Sequence, residues 1–371
     1  MSRGLEEQFL RFDPELPLER ARTIPASWYH DPEVYAAECR TVFGDTWQAV
    51  GRADQVAAPG AFFTADVAGE PVLVLRDGGE LRAMSNVCRH RAARVVAEAE
   101  GRLTRLRCPY HGWTYDLAGR LRGAPEFDGV EDFCREDSGL PPLAVAEWGP
   151  FVFAHLGKSP PPLAEHLAPL PEKAAGLGLE ALRFVARREY KLACNWKVFV
   201  DNYLDGGYHV NAVHPALAGA IDYSRYRTEV YASTSVQVSP LRPPEARREP
   251  DAVGAVRGGD TAWYWWVFPN LMINLYQGVM DTNLVLPLGP NECRVVFDFY
   301  FADTEGPDAE RYMRESMEVA HRVQMEDAGI CEEVQRGLAS RLYDTGRFSV
   351  RREAGGYHFH RLLARRLRSA L

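Results

Sequence analysis

Cys88-Arg-His90 and, after 17 intervening residues, Cys108-Pro-Tyr-His111 are the stretch that decides the reading of this chain. Each short cluster pairs one thiol with one imidazole, and together they supply four ligands for a mixed metal centre. Cys2His2 is also an ordinary ligand set for structural zinc. Zinc sites more often group two Cys in one knuckle and two His in another, whereas here the two types alternate and the second His is followed by Gly112-Trp113. Buried, unliganded Cys and His would have to produce this spacing twice by chance.

Two thiolates on one iron and two neutral imidazoles on the other make a [2Fe-2S] centre less negative and raise its potential. Two tight loops facing each other, each giving one Cys and one His, suit that need. Through CRHR at 88–91 and CPYHGWTYD at 108–116 the chain resembles the Rieske family. The implied cluster ligands are Cys88, His90, Cys108 and His111.

A chain of 371 residues exceeds what one core usually organises, so two domains are expected. With 46% hydrophobic and 25% charged residues it has the composition of an ordinary globular protein. No apolar run approaches the roughly 20 residues of a membrane helix, and the N-terminus lacks the apolar core of a signal peptide. The expectation is a cytoplasmic protein with no membrane contact. The net charge of −8 argues against a general nucleic-acid binder. Cys39, Cys134, Cys194, Cys293 and Cys331 are scattered singly, as reduced thiols would be. Arg89, Arg91, Arg94, Arg102, Arg105 and Arg107 crowd the cluster segment, either as solvated positions or as a docking face for an acidic electron donor.

Asp31-Pro32-Glu33 opens a helix in the order N-cap, N1 proline and early acid, with Val34, Tyr35, Cys39, Val42 and Phe43 turned inward up to Gly44. From residue 47 the pattern changes to short strands, such as 72–75 and 151–153, separated by turn residues. Lys158-Ser159-Pro160-Pro161-Pro162 is a stiff break. Beyond it, helical segments near 195–215 and 308–340 mix with strands near 227–238, 262–277 and 292–301, and 240–250 reads as a mobile loop. The fold class is α+β: an N-terminal helical segment at 1–46, an all-β cluster domain at 47–157 and a second domain of mixed helices and strands at 158–371.

The second chemical signal is Asp201-Asn-Tyr-Leu-Asp205-Gly-Gly-Tyr-His209-Val-Asn-Ala-Val-His214-Pro215. Two imidazoles and one carboxylate on one face of an octahedron form the facial triad of non-haem Fe(II) oxygenases. Residues five apart lie about 140° apart on an ideal helix, so His209 and His214 converge only if the helix ends between them. Pro215 disfavours helical geometry at His214 and supports such an ending.

Together the two signals resemble the large alpha subunit of Rieske non-haem iron oxygenases. DNYLDGGYHV and the closing GYHFHRLLARRL at 356–367 look most like the choline monooxygenase branch. The resemblance implies an all-β Rieske domain followed by a helix-grip catalytic domain, a mononuclear Fe(II) and a homotrimer. It places the third iron ligand at Asp327, within Gln324-Met-Glu326-Asp327, with Glu326 as the fallback; otherwise either would be a solvated helix acid. It implies electrons from NAD(P)H through a ferredoxin or flavin reductase, passed between subunits, with O2 and a small organic molecule as substrates. The acid joining the two centres usually sits three residues before the first iron-binding His, where this chain has Gly206. Asp205 is therefore the candidate bridge, Asp201 its competitor, and Asn202 a candidate neighbour of the site.

Trp263, Tyr264, Trp265, Trp266, Phe268, Asn274, Tyr276 and Gln277 are read as one strand whose alternate residues line a cavity or fill the core. An aromatic wall suits a quaternary amine such as choline, carnitine or glycine betaine. It suits a planar aromatic substrate equally by stacking. Two non-enzymatic readings stand beside these: an electron carrier or binding protein that has lost the mononuclear iron, and a zinc-stabilised module. The remaining histidines, His30, His155, His166, His321, His358 and His360, read as structural or surface residues.

Overall fold

A computed structural model describes residues 3–242 and 258–369. Contacts divide the chain into two compact units, Phe43–Leu163 on one side and Met1–Val42 with Ala164–Leu371 on the other. The first 42 residues are therefore not a separate segment but part of the second unit.

The smaller unit is β-rich. Its strands are β1 (Gln48–Arg52), β2 (Ala61–Val67), β3 (Glu70–Asp77), β4 (Glu80–Ser85), β5 (Glu100–Arg102), β6 (Leu106–Arg107), β7 (Thr114–Tyr115), β8 (Leu121–Gly123), β9 (Pro142–Trp148) and β10 (Phe151–His155). Seven form an antiparallel sheet in the order β1-β10-β9-β4-β3-β2-β5, and β6-β7-β8 form a second, three-stranded sheet. Val72 to Leu75 are all buried because β3 lies inside its sheet. The core under the small sheet includes Cys88, Cys108, Trp113 and Tyr115.

The larger unit begins with α1 (Arg3–Leu10) and α2 (Pro32–Glu38). Asp31 caps α2 by accepting from the Glu33 amide at 2.8 Å. The helix then widens into a π-turn at Cys39–Phe43 rather than running straight to Gly44. Glu38 is buried and accepts from Lys197 Nζ at 2.6 Å and Trp196 Nε1 at 2.8 Å. This pins α2 to the helix that precedes His209 and His214.

The remaining elements are α3 (Leu163–Leu167), α4 (Leu170–Ala174), β11 (Arg183–Leu192), α5 (Trp196–Tyr203), α6 (Val210–Val213), α7 (Pro215–Ala220), β12 (Arg227–Val230), β13 (Thr234–Pro240), β14 (Thr261–Val267), β15 (Leu271–Tyr276), β16 (Val279–Gly289), β17 (Glu292–Phe301), α8 (Pro307–Leu338) and α9 (Ala354–Arg368). Strands β12 to β17 make an antiparallel meander, and β11 closes its far edge beside β17. The 32-residue α8 runs along β11, tied by Tyr190 Oη to His321 Nδ1 at 3.0 Å and by Glu332 to the Ala193 amide at 3.0 Å. The expected single strand at 262–277 is two, β14 and β15, which pair across the turn at Phe268-Pro269-Asn270. Residues 227–238 likewise form a hairpin. The loop expected at 240–250 lies, from residue 243 on, outside the described residues.

Candidate active site

Two loops of the smaller unit are built to one plan. The Cys88 amide donates to Ala93 O at 2.8 Å and the Ala92 amide to Cys88 O at 3.0 Å; the Cys108 amide donates to Trp113 O at 2.8 Å and the Gly112 amide to Cys108 O at 3.1 Å. The fourth residue after each Cys is left-handed, Ala92 with φ 58° and Gly112 with φ 74°. This plan brings the His90 and His111 rings to 4.5 Å between centroids, while both thiols stay buried and unpaired as disulfides. Cys88 Sγ lies 3.3 Å from Tyr115 Oη.

The donor set fits an iron-sulfur cluster. His90 Nδ1 is buried without a hydrogen-bond partner among the described residues, the state of a nitrogen reserved for a metal. Burial, with His111 and Arg91 nearby, lowers the His90 pKa and favours the neutral form a ligand needs. Trp113 stacks on His90 at 5.0 Å and fixes its plane. His111 is exposed while the thiols are not, so the imidazole side of the cluster would face outward. All six arginines from Arg89 to Arg107 are exposed around it.

In the larger unit, α5 ends at Tyr203 and the chain turns through Gly206 and Gly207, both at φ 71°. A Cβ on Gly206 would stand 2.1 Å from Arg352 O, so the turn admits no side chain there. The turn lets Asp205 accept from the amides of Tyr208 and His209 at 3.0 and 2.9 Å. Helix α6 is a single turn, and His214 leaves helical geometry at φ −120°, ψ 71° before Pro215 opens α7. That break lets two histidines five residues apart converge.

Their partners sort the nearby acids. His209 Nδ1 pairs with Asp205 at 2.6 Å and His214 Nδ1 with Glu326 at 2.6 Å, which turns both Nε2 atoms toward Asp327. Asp327 Oδ1 lies 3.6 Å from His209 Nε2 and 3.0 Å from His214 Nε2. Donors about 2.1 Å from a shared ion and at right angles stand about 3 Å apart, so this geometry fits one cation. These three residues are the one such group among the described residues. Glu326 is thereby placed as the carboxylate that orients His214, a role the sequence did not distinguish from that of a ligand. Burial opposes protonation of His214, but Asp327 and Glu326 outweigh it and raise its pKa, the mark of an imidazole in a field that calls for a cation. Asn202 donates to Asp327 Oδ1 at 2.7 Å and steadies the third donor.

Asp201 does not reach this triad. It accepts from Tyr29 Oη at 2.5 Å and pairs with His360 Nε2 at 2.8 Å, while His360 Nδ1 accepts from the Ile24 amide at 3.2 Å. His360 is therefore a buried tie between the N-terminal segment, α5 and α9, not a surface residue.

The triad opens on a cavity of about 120 Å3. Tyr203, Tyr226, Tyr264 and Tyr276 line it, together with Asn274 and Asp281, and no Lys or Arg among the described residues does. Tyr226 and Tyr264 stack at 6.4 Å, and Tyr276 meets Tyr264 edge-on at 6.0 Å. Asp281 is buried and accepts from Asn274 Nδ2 at 2.7 Å, and Asn274 in turn accepts from Tyr203 Oη at 2.9 Å. Burial raises the Tyr203 and Tyr226 pKa values well above normal, so both rings stay neutral. Trp265 and Trp266 do not line the cavity; they are fully buried core residues. Asp281 was not singled out in the sequence, because one acid in a strand carries no signature of its own.

Comparison with known proteins bears on both units. Residues 179–369 match the family described as "Ring hydroxylating alpha subunit (catalytic domain)" and residues 46–134 the "Rieske [2Fe-2S] domain". The chain is 42% identical to the chloroplastic choline monooxygenase of Arabidopsis thaliana, over 96% of this chain and 86% of that protein. It is 29% identical to the carnitine monooxygenase oxygenase subunit of Escherichia coli K12, over 93% and 94% of the two chains. The crystal structure of the quaternary ammonium Rieske monooxygenase CntA with L-carnitine superposes with a TM-score of 0.80 at 28% identity, covering 95% of this chain and 99% of that one.

Proposed function

This chain belongs to the ring-hydroxylating alpha subunits that carry a Rieske domain, and from that premise we propose that it hydroxylates a small quaternary amine with no carboxylate, of which choline is the simplest. It is an oxidoreductase of the Rieske non-haem iron class, using O2 and reductase-delivered electrons. When bound, the [2Fe-2S] cluster supplies single electrons and the mononuclear Fe(II) supplies O2 activation, for a net conversion of R–H, O2, two electrons and two protons to R–OH and water.

The observation that carries the substrate reading is the cavity wall. Four tyrosines offer rings to an alkylammonium, and the buried Asp281 carboxylate supplies the countercharge. A planar hydrocarbon would leave that carboxylate desolvated against an apolar face, which is costly. Carnitine or glycine betaine would bring a carboxylate that finds no Lys or Arg among the described lining residues. The chain's own residues do the positioning: the tyrosines and Asp281 hold the cation, and Asp205 and Glu326 fix the two imidazoles. Asn202 holds Asp327 in place.

Cys88, His90, Cys108 and His111 are assigned to the cluster, and His209, His214 and Asp327 to the mononuclear iron. Asp205, bonded to His209 and 15% exposed on its side chain, is assigned as the link toward the cluster of an adjacent subunit in a homotrimer. A ferredoxin or flavin reductase is assigned as the donor partner, in the cytoplasm. No helix among the described residues is long and apolar enough to cross a membrane.

The test is turnover of choline, carnitine, glycine betaine and a neutral aromatic by the reduced holoenzyme. Choline is expected to give product, and Asp281→Asn to raise its KM about tenfold or more with a smaller change in kcat, since the lost contact is equivalent to about 1.4 kcal/mol or more. Turnover of the aromatic with no binding of choline would sink the reading.

A further inference from the structure

Two amides in the wall of the substrate cavity are used at both ends. Gln237 donates to Tyr203 O at 2.7 Å and accepts from Tyr226 Oη at 3.1 Å. Asn274 donates to Asp281 and Asn283 at 2.7 and 3.0 Å and accepts from Tyr203 Oη at 2.9 Å. Gln324 is different. It lines the same cavity and is only 1% exposed, yet neither its Oε1 nor its Nε2 has a hydrogen-bond partner among the described residues. Buried amides are almost always paired, because taking one out of water without replacing its bonds is costly. Gln324 stands on the stripe of α8 that lines the cavity, after Val319, Ala320 and Val323 and one turn before Asp327. Between those apolar residues and the ligand acid, it is the position that can both donate and accept. A glutamine with a purely structural task would find a partner in the wall, as Gln237 does.

We propose that Gln324 selects the substrate by its hydroxyl group. A hydroxyl is at once donor and acceptor, so a single group pairs both orphaned atoms: Nε2 donates to its oxygen while Oε1 accepts from its O–H. A carboxylate only accepts, and would leave Oε1 unpaired beside a negative charge. A methyl or ethyl group pairs neither atom. This role presupposes the amine reading above and narrows it to hydroxylated quaternary amines. Their cationic end lies against the tyrosines and Asp281, and their hydroxyl against α8. A site that hydrogen-bonds a substrate hydroxyl rejects the analogue lacking it more strongly than an apolar pocket can, because the analogue leaves the site's own polar group buried and unpaired.

The test uses choline and ethyltrimethylammonium, which carries hydrogen in place of the hydroxyl. Their dissociation constants are measured by anaerobic calorimetric titration of the holoenzyme and of its Gln324→Met variant. The wild type is expected to bind choline about 10- to 100-fold more tightly, the range set by leaving a buried hydrogen-bonding group unpaired. Gln324→Met keeps the length of the side chain and is expected to bring the two constants together, weakening choline and holding or improving the hydroxyl-free amine. Its thermal stability is expected to hold or rise, since an apolar side chain of similar shape removes the unpaired amide. Lower stability with both amines weakened alike would mark Gln324 as a support of the wall and overturn the assignment. Equal affinities in the wild type, or an unchanged ratio in Gln324→Met, would overturn it too while leaving the amine reading in place. Binding of neither amine by the wild type would overturn both.

Discussion

At the proposed metal triad each imidazole has given one nitrogen to a carboxylate, and single substitutions separate the two kinds of acid. Asp327→Ala is expected to remove one iron per chain and nearly all turnover while leaving the cluster spectrum intact, as measured by metal analysis and EPR. Glu326→Gln should leave the ligand atoms in place yet weaken iron binding about 10- to 100-fold, read by competition with a chelator. If Glu326→Gln instead lost the iron as completely as Asp327→Ala, the two roles would be reversed. Asp205→Asn should keep all metals bound but slow oxidation of the reduced cluster in a single turnover. In the sequence, Asp327 ranked above Glu326 only through the family resemblance, and nothing in the local pattern separated them. Adjacent residues on a helix point about 100° apart, and only the placement of α8 beside α6 tells which one faces the histidines.

At the scale of elements, the backbone around the site tolerates little. Gly206→Ala is expected to cost about 1–3 kcal/mol through left-handed strain alone, and more through the clash with Arg352 O, so iron content should fall along with thermal stability. Metal content at the wild-type level in that variant would show that the turn can move without carrying His209. The break at His214-Pro215 was legible because proline restricts the residue before it. Strands β11 and β16 were not legible, for different reasons. β11 is an edge strand whose RFVARREYKL carries charge through its middle, and β16 places Asp281, Thr282 and Asn283 where an apolar run would have announced a strand. In β16 Asp281 and Asn283 line the cavity, so the site erased the pattern that would have revealed the element.

For the whole molecule, the division into a cluster unit and a catalytic unit could be read from the change of periodicity near residue 47 and the proline-rich break. The attachment of the N-terminal segment could not, because it depends on the buried Glu38–Lys197 pair, whose partners are 159 positions apart. Glu38→Gln leaves Lys197 buried without its countercharge and is expected to cost about 3–5 kcal/mol, measured by urea unfolding. The assignment of electron transfer across subunits has a direct check in mixed oligomers. Cys108→Ser and Asp327→Ala chains, each inactive alone, are expected to recover about a quarter of wild-type activity when co-assembled at equal ratio in a closed ring. No recovery in verified mixed oligomers would return the transfer to a single chain.

The two cluster loops share one plan, a buried Cys followed by a left-handed turn, and neither can satisfy an iron pair alone. Closing them is a single event that the inorganic core must complete, so part of the folding free energy of this unit arrives with the cofactor. A cell short of iron would then hold chains with a loosened clasp that proteases recognise, and abundance would fall together with activity. The amount of this protein would report iron supply as faithfully as its catalysis does.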